Sequence, residues 1–127
     1  MKTLAKVYKE QFGSVKFPFE IYDPKGNKTY REDSNGDWVR WEYDAKGNIT
    51  YREDSDGYWW RREYDAKGNR TYYEDSYGYW VRREYDAKGN RTYREDSYGM
   101  KSGTPKNSYI NKVVEIEGKK YQLKEIK

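Results

Sequence analysis

Hydrophobic and polar residues alternate along most of the chain, in short runs separated by turn-forming residues. Runs such as residues 49–53 and 59–64 are rich in β-branched and aromatic residues, which favours strands. Glycine-containing stretches, such as residues 44–48 and 55–57, separate these runs. Glycine suits a tight hairpin because it accepts the positive φ that the turn requires. The pattern therefore predicts β-hairpins joined into an antiparallel meander.

The predicted hairpins repeat with a period of 21 residues. A Tyr-Asp pair begins each copy, at Tyr22, Tyr43, Tyr64 and Tyr85. The unit is Y-D-[PA]-K-G-N-x-T-Y-[RY]-E-D-S-x-G, followed after one residue by W-[VW]-R-[RW]-E, and the fourth copy ends at Gly99. Such arrays are stabilised by contacts between neighbouring copies, so we expect that a single copy does not fold alone.

An odd repeat length constrains the turns, because side chains alternate between the two faces of a strand with a period of two. We expect the D-x-K-G-N connection to be a three-residue loop, a type I turn with a G1 bulge, that pairs Asp44 with Asn48. We expect the x-G connection to be a two-residue type I′ turn. If the second turn instead has three residues, the faces would swap between copies and the division given next would fail.

This register predicts the composition of each face. The more apolar face would carry Ile49, Tyr51, Trp60, Arg62, Tyr64 and their equivalents. The other would carry Thr50, Arg52, Asp54, Trp59, Arg61, Glu63 and their equivalents. We expect the second face to be a cross-strand ladder of opposite charges, crossed by a row of tryptophans at positions 38, 59 and 80.

The N-terminal flank predicts a helix and a strand. Leu4, Val7, Tyr8 and Phe12 share one helical face, and Gly13 is a suitable C-cap. Residues 14–22 have a strand pattern, and the proline at position 18 would place this strand at a sheet edge or a bulge.

The C-terminal flank predicts a loop and a hairpin. Residues 101–108 have the composition of a loop, and two alternating segments from Tyr109 onward surround a turn at Glu117-Gly118. The chain is thus expected to be one mainly β folding unit, with an N-terminal cap (1–21), a repeat meander (22–100) and a C-terminal cap (101–127). In an alternative arrangement, sheet edges or terminal strands pair with a second copy to form a homodimer.

The composition changes this picture in two ways. With 38% charged and 34% hydrophobic residues, the chain would tend toward disorder, but its 16 Tyr, 5 Trp and 3 Phe can each bury roughly 150–250 Å². We therefore expect a folded protein with an aromatic core. The absence of Cys and His excludes disulfides and thiol chemistry and removes the commonest general base and zinc ligand.

The charge is unevenly distributed. The chain has a net charge of +4, but the excess lies in the two flanks and the repeats are slightly acidic, which argues against nucleic-acid binding by the repeats. Neither an apolar run of membrane-spanning length nor a signal-peptide pattern occurs. This favours a cytoplasmic protein without a membrane partner.

The repeated acidic pair Glu53-Asp54 is the strongest candidate for catalysis. It recurs in every copy, and consecutive strand residues point to opposite faces, so a turn cap plus a cross-strand ion pair is the favoured interpretation. The oxygen-rich turn at residues 54–57 lacks the layout of a calcium loop. No nucleophile, phosphate-binding or dinucleotide-binding motif occurs. The sequence predicts a protein without enzymatic activity, metal or cofactor.

The repeat resembles the YD repeat of the RHS family over residues 22 to about 99. The resemblance implies a β-sheet built from successive repeats; longer members form spiralling sheets that enclose a toxin or form a cell-surface shell. Short chains with this repeat sequence resemble those carried by bacteria and their mobile elements. The invariant tryptophan and the separate flanks depart from the family pattern. The residues that carry the resemblance are Tyr43, Asp44, Gly47, Thr50, Asp54, Gly57, Tyr64 and Asp65.

Three binding functions agree with the aromatic and arginine content. Tyr, Trp and Arg are enriched at protein interfaces, so the favoured hypothesis is a protein that binds a bacterial host or competitor protein. The settings considered first are an inhibitor of bacterial defence carried by a phage or other mobile element, and an immunity protein. The alternatives are a cell-wall module for carbohydrate or choline and single-stranded nucleic-acid binding by stacking.

The candidate binding residues are aromatic and arginine positions of the sheet and positions that differ between copies. More than half of the rings are expected only to hold the sheet together. Two further turn-tip positions that vary are Asn35 and Asp56. The candidates are Lys28, Trp41, Ile49, Arg52, Trp60, Arg62, Arg70, Tyr73, Tyr77, Tyr79, Arg83, Arg91 and Tyr98.

Overall fold

The computed structural model describes residues 2–105 and 113–122 of the protein. A helix is followed by a nine-stranded antiparallel sheet whose strand order is the chain order, and β10 and β11 form a two-stranded sheet. The mainly β fold and the meander of repeated hairpins are confirmed. The elements are α1 (Leu4–Phe12), β1 (Phe19–Tyr22), β2 (Lys28–Glu32), β3 (Trp38–Tyr43), β4 (Ile49–Asp54), β5 (Trp59–Tyr64), β6 (Arg70–Asp75), β7 (Trp80–Tyr85), β8 (Arg91–Asp96), β9 (Lys101–Gly103), β10 (Val113–Ile116) and β11 (Lys119–Gln122).

The D-x-K-G-N connections have the predicted three-residue form. Asp44 donates its N–H to the carbonyl oxygen of Asn48 at 2.9 Å, and Gly47 donates to the carbonyl of Asp44 at 3.1 Å. The Asp44 carboxylate also accepts the N–H groups of Lys46 and Asn48. These bonds close the loop, and the bond from Asn48 lowers the pKa of Asp44.

The S-x-G connections are also three-residue loops, so the predicted two-residue turn is wrong. Asp54 donates its N–H to the carbonyl of Tyr58 at 2.9 Å, and Gly57 donates to the carbonyl of Asp54 at 3.0 Å. The Asp54 carboxylate accepts the N–H groups of Asp56 at 3.0 Å and Tyr58 at 3.3 Å. The aspartate that precedes the serine therefore closes a loop one residue longer than the one expected.

A bulge keeps the two faces constant from copy to copy. Glu42 pairs with Tyr51, whereas Tyr43 pairs with Ile49, which leaves Thr50 as an extra residue in β4. The same shift occurs between β5 and β6 and between β7 and β8. With two three-residue loops and one bulge, equivalent residues 21 positions apart return to the same face, so the faces do not swap.

The observed register divides the strand residues into two faces. Face A carries Tyr51, Glu53, Trp59, Arg61, Glu63 and their equivalents. Face B carries Ile49, Arg52, Asp54, Trp60, Arg62, Tyr64 and their equivalents. The predicted division was wrong for Tyr51, Arg52 and Asp54, because the longer S-x-G loop reverses their position relative to β5. It was correct for the face B residues Ile49, Trp60, Arg62 and Tyr64 and for the face A residues Trp59, Arg61 and Glu63.

Side chains at the loop edge tie successive copies together. The hydroxyl of Tyr43 donates to the carbonyl of Lys28 at 2.6 Å, and that of Tyr64 donates to the carbonyl of Ile49 at 3.0 Å. The ammonium of Lys46 donates to the carbonyl of Ala66 in the next loop. The tyrosine and lysine of the repeat motif therefore have structural roles.

Helix α1 lies against face A at the N-terminal end of the sheet. It has the predicted Gly13 C-cap, with a φ of 82°, and the Thr3 hydroxyl accepts the N–H of Lys6 as N-cap. Ala5 is 1% exposed and donates its N–H to the Glu32 carboxylate at 3.2 Å. A small residue is needed there because the helix backbone approaches the sheet.

The predicted apolar face of the helix is not buried against the sheet, as its hydrophobic periodicity would suggest. Its four residues are between 37% and 66% exposed. Tyr8 still contacts Phe19, with ring centroids 5.3 Å apart. The helix docks by an edge around Ala5, and most of its apolar side chains face solvent.

A departure from the repeat explains why the helix docks at the first copy. Position 19 is equivalent to Arg40, which lies directly across the sheet from Glu53. Phe19 lies across from Glu32 in the same way. Because phenylalanine cannot form the ion pair, the Glu32 carboxylate instead accepts the N–H of Ala5.

The two edge strands are short, and both differ from the predictions. Strand β1 begins at Phe19 rather than at residue 14; its position at the edge agrees with the preceding proline. The segment 101–108 is not all loop, because Lys101–Gly103 forms β9. Gly103 has a φ of 82°, and a Cβ there would lie 1.9 Å from the carbonyl oxygen of Thr92.

The predicted C-terminal hairpin is present. Ile116 pairs with Lys119 across Glu117 and Gly118, both of which have positive φ. The start of the predicted hairpin at Tyr109 lies outside the described residues.

Candidate protein-binding face

The side chains of face A form a ladder across the strands, in which they stack on one another and form hydrogen bonds with one another. The Tyr51 ring stacks on Trp59, with centroids 6.3 Å apart and planes at 17°. The Arg40 guanidinium lies 5.1 Å from the centre of the same ring, and the Tyr51 hydroxyl donates to Glu53 at 3.1 Å. The arginine–tyrosine–glutamate arrangement recurs one and two repeats later.

Ion pairs complete the ladder. Arg61 reaches Glu74 on β6 at 2.8 Å and Glu63 on its own strand at 3.4 Å. The bond to Arg61 lowers the pKa of Glu74, and the bond to Glu74 raises the pKa of Arg61. The cross-strand ladder of opposite charges predicted for the face with the tryptophan row is confirmed.

The acidic pair Glu53-Asp54 has the structural roles expected of it. Glu53 lies on face A, where it accepts the Tyr51 hydroxyl and pairs with Arg40 at 3.8 Å. Asp54 lies on face B and caps its loop while binding Arg52 at 3.0 Å. Because the two carboxylates point to opposite sides of the sheet, they do not form one acid–base site.

Face B carries an aromatic cluster. The Tyr73 ring lies 6.5 Å from Trp60 and 6.1 Å from Tyr79, and its hydroxyl is 3.2 Å from that of Tyr58. Arg62 stacks on Trp60, with the guanidinium 3.8 Å from the ring centre. Burial is the main cause of the raised pKa of Tyr73. The cluster combines hydrophobic surface with hydroxyl and guanidinium groups.

Two loop tips extend this cluster into solvent. Tyr77 lies 5.5 Å from Tyr58, and Tyr98 lies 5.5 Å from Tyr79. The two outer rings are 84% and 80% exposed. Their positions are held by neighbouring rings, while their outer surfaces remain accessible to a partner.

The structure brings all thirteen candidate binding residues to face B or to its S-x-G loop tips. Eight lie on β4–β8, and Tyr79 directly precedes β7. Trp41 lies across from Arg52 on β3, and Lys28 pairs with Glu20 at the N-terminal end. Tyr77 and Tyr98 are loop tips; so are Asn35 and Asp56, in the earlier copies.

Two residues of this face, Tyr58 and Arg94, were not among the predicted binding residues. They contact the aromatic cluster, Arg94 through a 3.3 Å bond to the Tyr79 hydroxyl. Val81, which alternation placed correctly on this face as the equivalent of Trp60, is 3% exposed and lies beside them on β7. Position 58 differs between copies and lies two residues before Trp60. With the correct loop length, strand alternation would have placed Tyr58 on the same face as Trp60.

The two faces differ in charge, which the total for the repeats does not reveal. Face A carries seven glutamates, Glu32, Glu42, Glu53, Glu63, Glu74, Glu84 and Glu95, and four cations, Arg40, Arg61, Arg82 and Lys101. Strand residues of face B include eight cations, Lys28, Arg31, Arg52, Arg62, Arg70, Arg83, Arg91 and Arg94, and four acids, Glu20, Asp54, Asp75 and Asp96. Face B is therefore basic, and the near-neutral total does not describe it.

Comparison of the sequence with protein-family models finds no match, and comparison with curated proteins also finds none. The YD-repeat assignment thus stays a prediction from the motif. Within residues 2–105 and 113–122, no helix has the length and apolar character needed to cross a membrane.

Proposed function

We propose that the protein is a non-catalytic binding protein that uses face B to bind another protein. The supporting observation is that the copies are identical on face A and differ on face B. Face A repeats Tyr, Glu, Trp, Arg and Glu at the same five positions in each copy that reaches them.

The variation on face B is concentrated at central strand positions. The position of Arg62 is Trp41 in the preceding copy, and that of Trp60 is Val81 in the following one. Face A residues must fit the same neighbours in each copy, which explains their identity. At these variable positions of face B, each copy can present a different group to a partner.

The composition of face B is that of a protein interface. Tyr, Trp and Arg supply much of the binding energy at interfaces because they combine large contact areas with directed hydrogen bonds. The sheet holds Trp60, Tyr73 and Tyr79 in mutual contact, so little side-chain entropy would be lost on binding. The proposed setting, a bacterial inhibitor or immunity protein of a phage or other mobile element, rests on the resemblance to YD repeats alone.

Site-specific photo-cross-linking in bacterial cells tests the proposal. p-Benzoylphenylalanine would replace Tyr77, at the tip of face B, or Glu63, on face A; both side chains are exposed. We expect the Tyr77 position to capture one protein in a stoichiometric complex and the Glu63 position to capture none. Equal capture at both positions, or at neither, would contradict the proposal.

A further inference from the structure

Four arginines of face B have no ion-pair partner among the described residues. They are Arg62 on β5, Arg70 on β6, Arg83 on β7 and Arg91 on β8, and we call them the arginine cluster. The arginines of face A, by contrast, are each paired with glutamate. The cluster spans four neighbouring strands, a width of about 14 Å at a strand spacing of about 4.8 Å.

A like-charge pair lies beside this cluster. Arg83 is directly across the sheet from Arg94, whereas the equivalent pairs one and two copies earlier combine an arginine with an aromatic residue. Arg94 is neutralised by Asp96 at 2.6 Å, but among the described residues no acid pairs with Arg83. Like charges directly across a strand pair are destabilising, and an anion bound at Arg83 would remove this cost.

Arg62 is held in place without an acid. Its guanidinium stacks on the Trp60 ring at 3.8 Å, and its buried Nε has no hydrogen-bond partner in the described part of the chain. The ring fixes the position of the positive charge. The remaining guanidinium N–H groups have no acceptor within the described residues.

We infer that the partner of face B is a protein that presents carboxylates to the arginine cluster; this inference rests on the proposed function. Guanidinium groups bind carboxylates in a bidentate manner, and such charge-assisted bonds are stronger than neutral ones. The cluster lies in the second half of the sheet, where Trp41 and Ile49 are replaced by arginine at the equivalent positions. The acidic segment of the partner therefore lies across β5–β8.

A single-stranded nucleic acid fits the cluster less well. Asp65 and Asp86 lie in the loops next to Arg70 and Arg91, and these acids would repel a continuous phosphate backbone. The Trp60 ring, which could stack a base, is already covered by Arg62. A protein surface can place carboxylates at the arginines and other groups at the acids.

Titrations of the full ¹⁵N-labelled chain test this inference at 150 mM NaCl. The probes are a blocked dodecapeptide in which glutamates alternate with serines, inorganic phosphate and dT12. The test variant is R83Q/R91Q in the cluster, and the matched control is R40Q/R61Q on face A. We expect saturable peptide-induced shifts in β5–β8, at least a tenfold weaker affinity in R83Q/R91Q, and less than a twofold change in R40Q/R61Q.

Other results would overturn the inference. These are no saturable peptide binding, binding that R83Q/R91Q leaves unchanged, equal shifts with phosphate alone, and tighter binding of dT12 than of the peptide. If cross-linking at Tyr77 still captures one protein, only the acidic character of the partner is refuted. If cross-linking also fails, the proposed function is refuted with it.

Discussion

Substitution of Phe19 by arginine should release the helix from the sheet. Arginine at this position would restore the repeat pattern and pair with Glu32, as Arg40 pairs with Glu53. The Ala5 N–H would then lose its hydrogen bond to the Glu32 carboxylate, which holds the helix on the sheet. The apolar contact with Tyr8 would be lost at the same time.

The size of this effect follows from the contacts removed. Half-burial of a phenylalanine contributes about 1 kcal/mol, the ring contacts about 1 kcal/mol, and the hydrogen bond to Glu32 about 1 kcal/mol. Docking of α1 would weaken by about 3 kcal/mol, or roughly 100-fold. A nine-residue helix is too short to persist alone in water, so an undocked helix would unfold.

Amide hydrogen exchange by NMR measures this release. In Phe19→Arg, we expect the Val7 amide, which donates to the Thr3 carbonyl at 3.1 Å, to exchange about 100-fold faster, while amides of β4–β7 change little. Phe19→Leu is the matched control and should accelerate exchange about tenfold or less. Unchanged exchange in α1, or equal acceleration throughout the sheet, would refute the reasoning.

Three other predictions concern the sheet. Gly103→Ala should detach β9, because the new Cβ would lie 1.9 Å from the Thr92 carbonyl oxygen; loss of exchange protection at Lys101–Gly103 alone would show this, and retained protection would contradict it. A peptide of residues 43–63 should show no cooperative thermal transition by circular dichroism, since its rings contact neighbouring copies; a cooperative melt would disprove that dependence. The pKa of Asp86 is lowered by the N–H of Asn90, so its stabilising contribution is full above the unfolded value of about 3.9 and is lost as pH falls toward the lower folded pKa. The melting temperature of Asp86→Asn should thus fall less than that of the wild type between about pH 5 and pH 2, and parallel falls would rule this out.

The meander could be predicted from the sequence because glycine spacing and β-branched or aromatic runs are local signals. Loop length could not, because the Asp54 carboxylate closes a three-residue loop where the Asp56-Gly57 dipeptide suggested a two-residue turn. This one-residue difference in loop length determines whether Tyr51 lies on the same face of the sheet as Trp60 or on the opposite face. The bulge at Thr50, which restores the faces, also has no local signal of its own.

The candidate site, like the fold, could be predicted from the sequence only in part. Strand alternation indicated Arg62, Arg83 and Arg70, the equivalent of Ile49, correctly as residues of one face. The charge of that face could not be obtained by adding charges along the chain, because consecutive acids such as Glu53 and Asp54 lie on opposite sides. The helix contact was missed because Ala5 docks through its backbone N–H, which hydrophobic periodicity does not register.

Arg82 and Arg83 provide the most direct test of the central claim, that face A stabilises the sheet and face B binds a partner. Arg82 pairs with Glu84 at 3.0 Å and Glu95 at 3.4 Å and lies over the Tyr93 ring, whereas Arg83 lies across from Arg94. Urea unfolding of R82S and R83S compares the two faces at neighbouring residues of one strand. We expect R82S to lower the unfolding free energy by about 1–2 kcal/mol and R83S to change it by less than about 0.5 kcal/mol or to raise it. An equal or larger loss in R83S would contradict the claim.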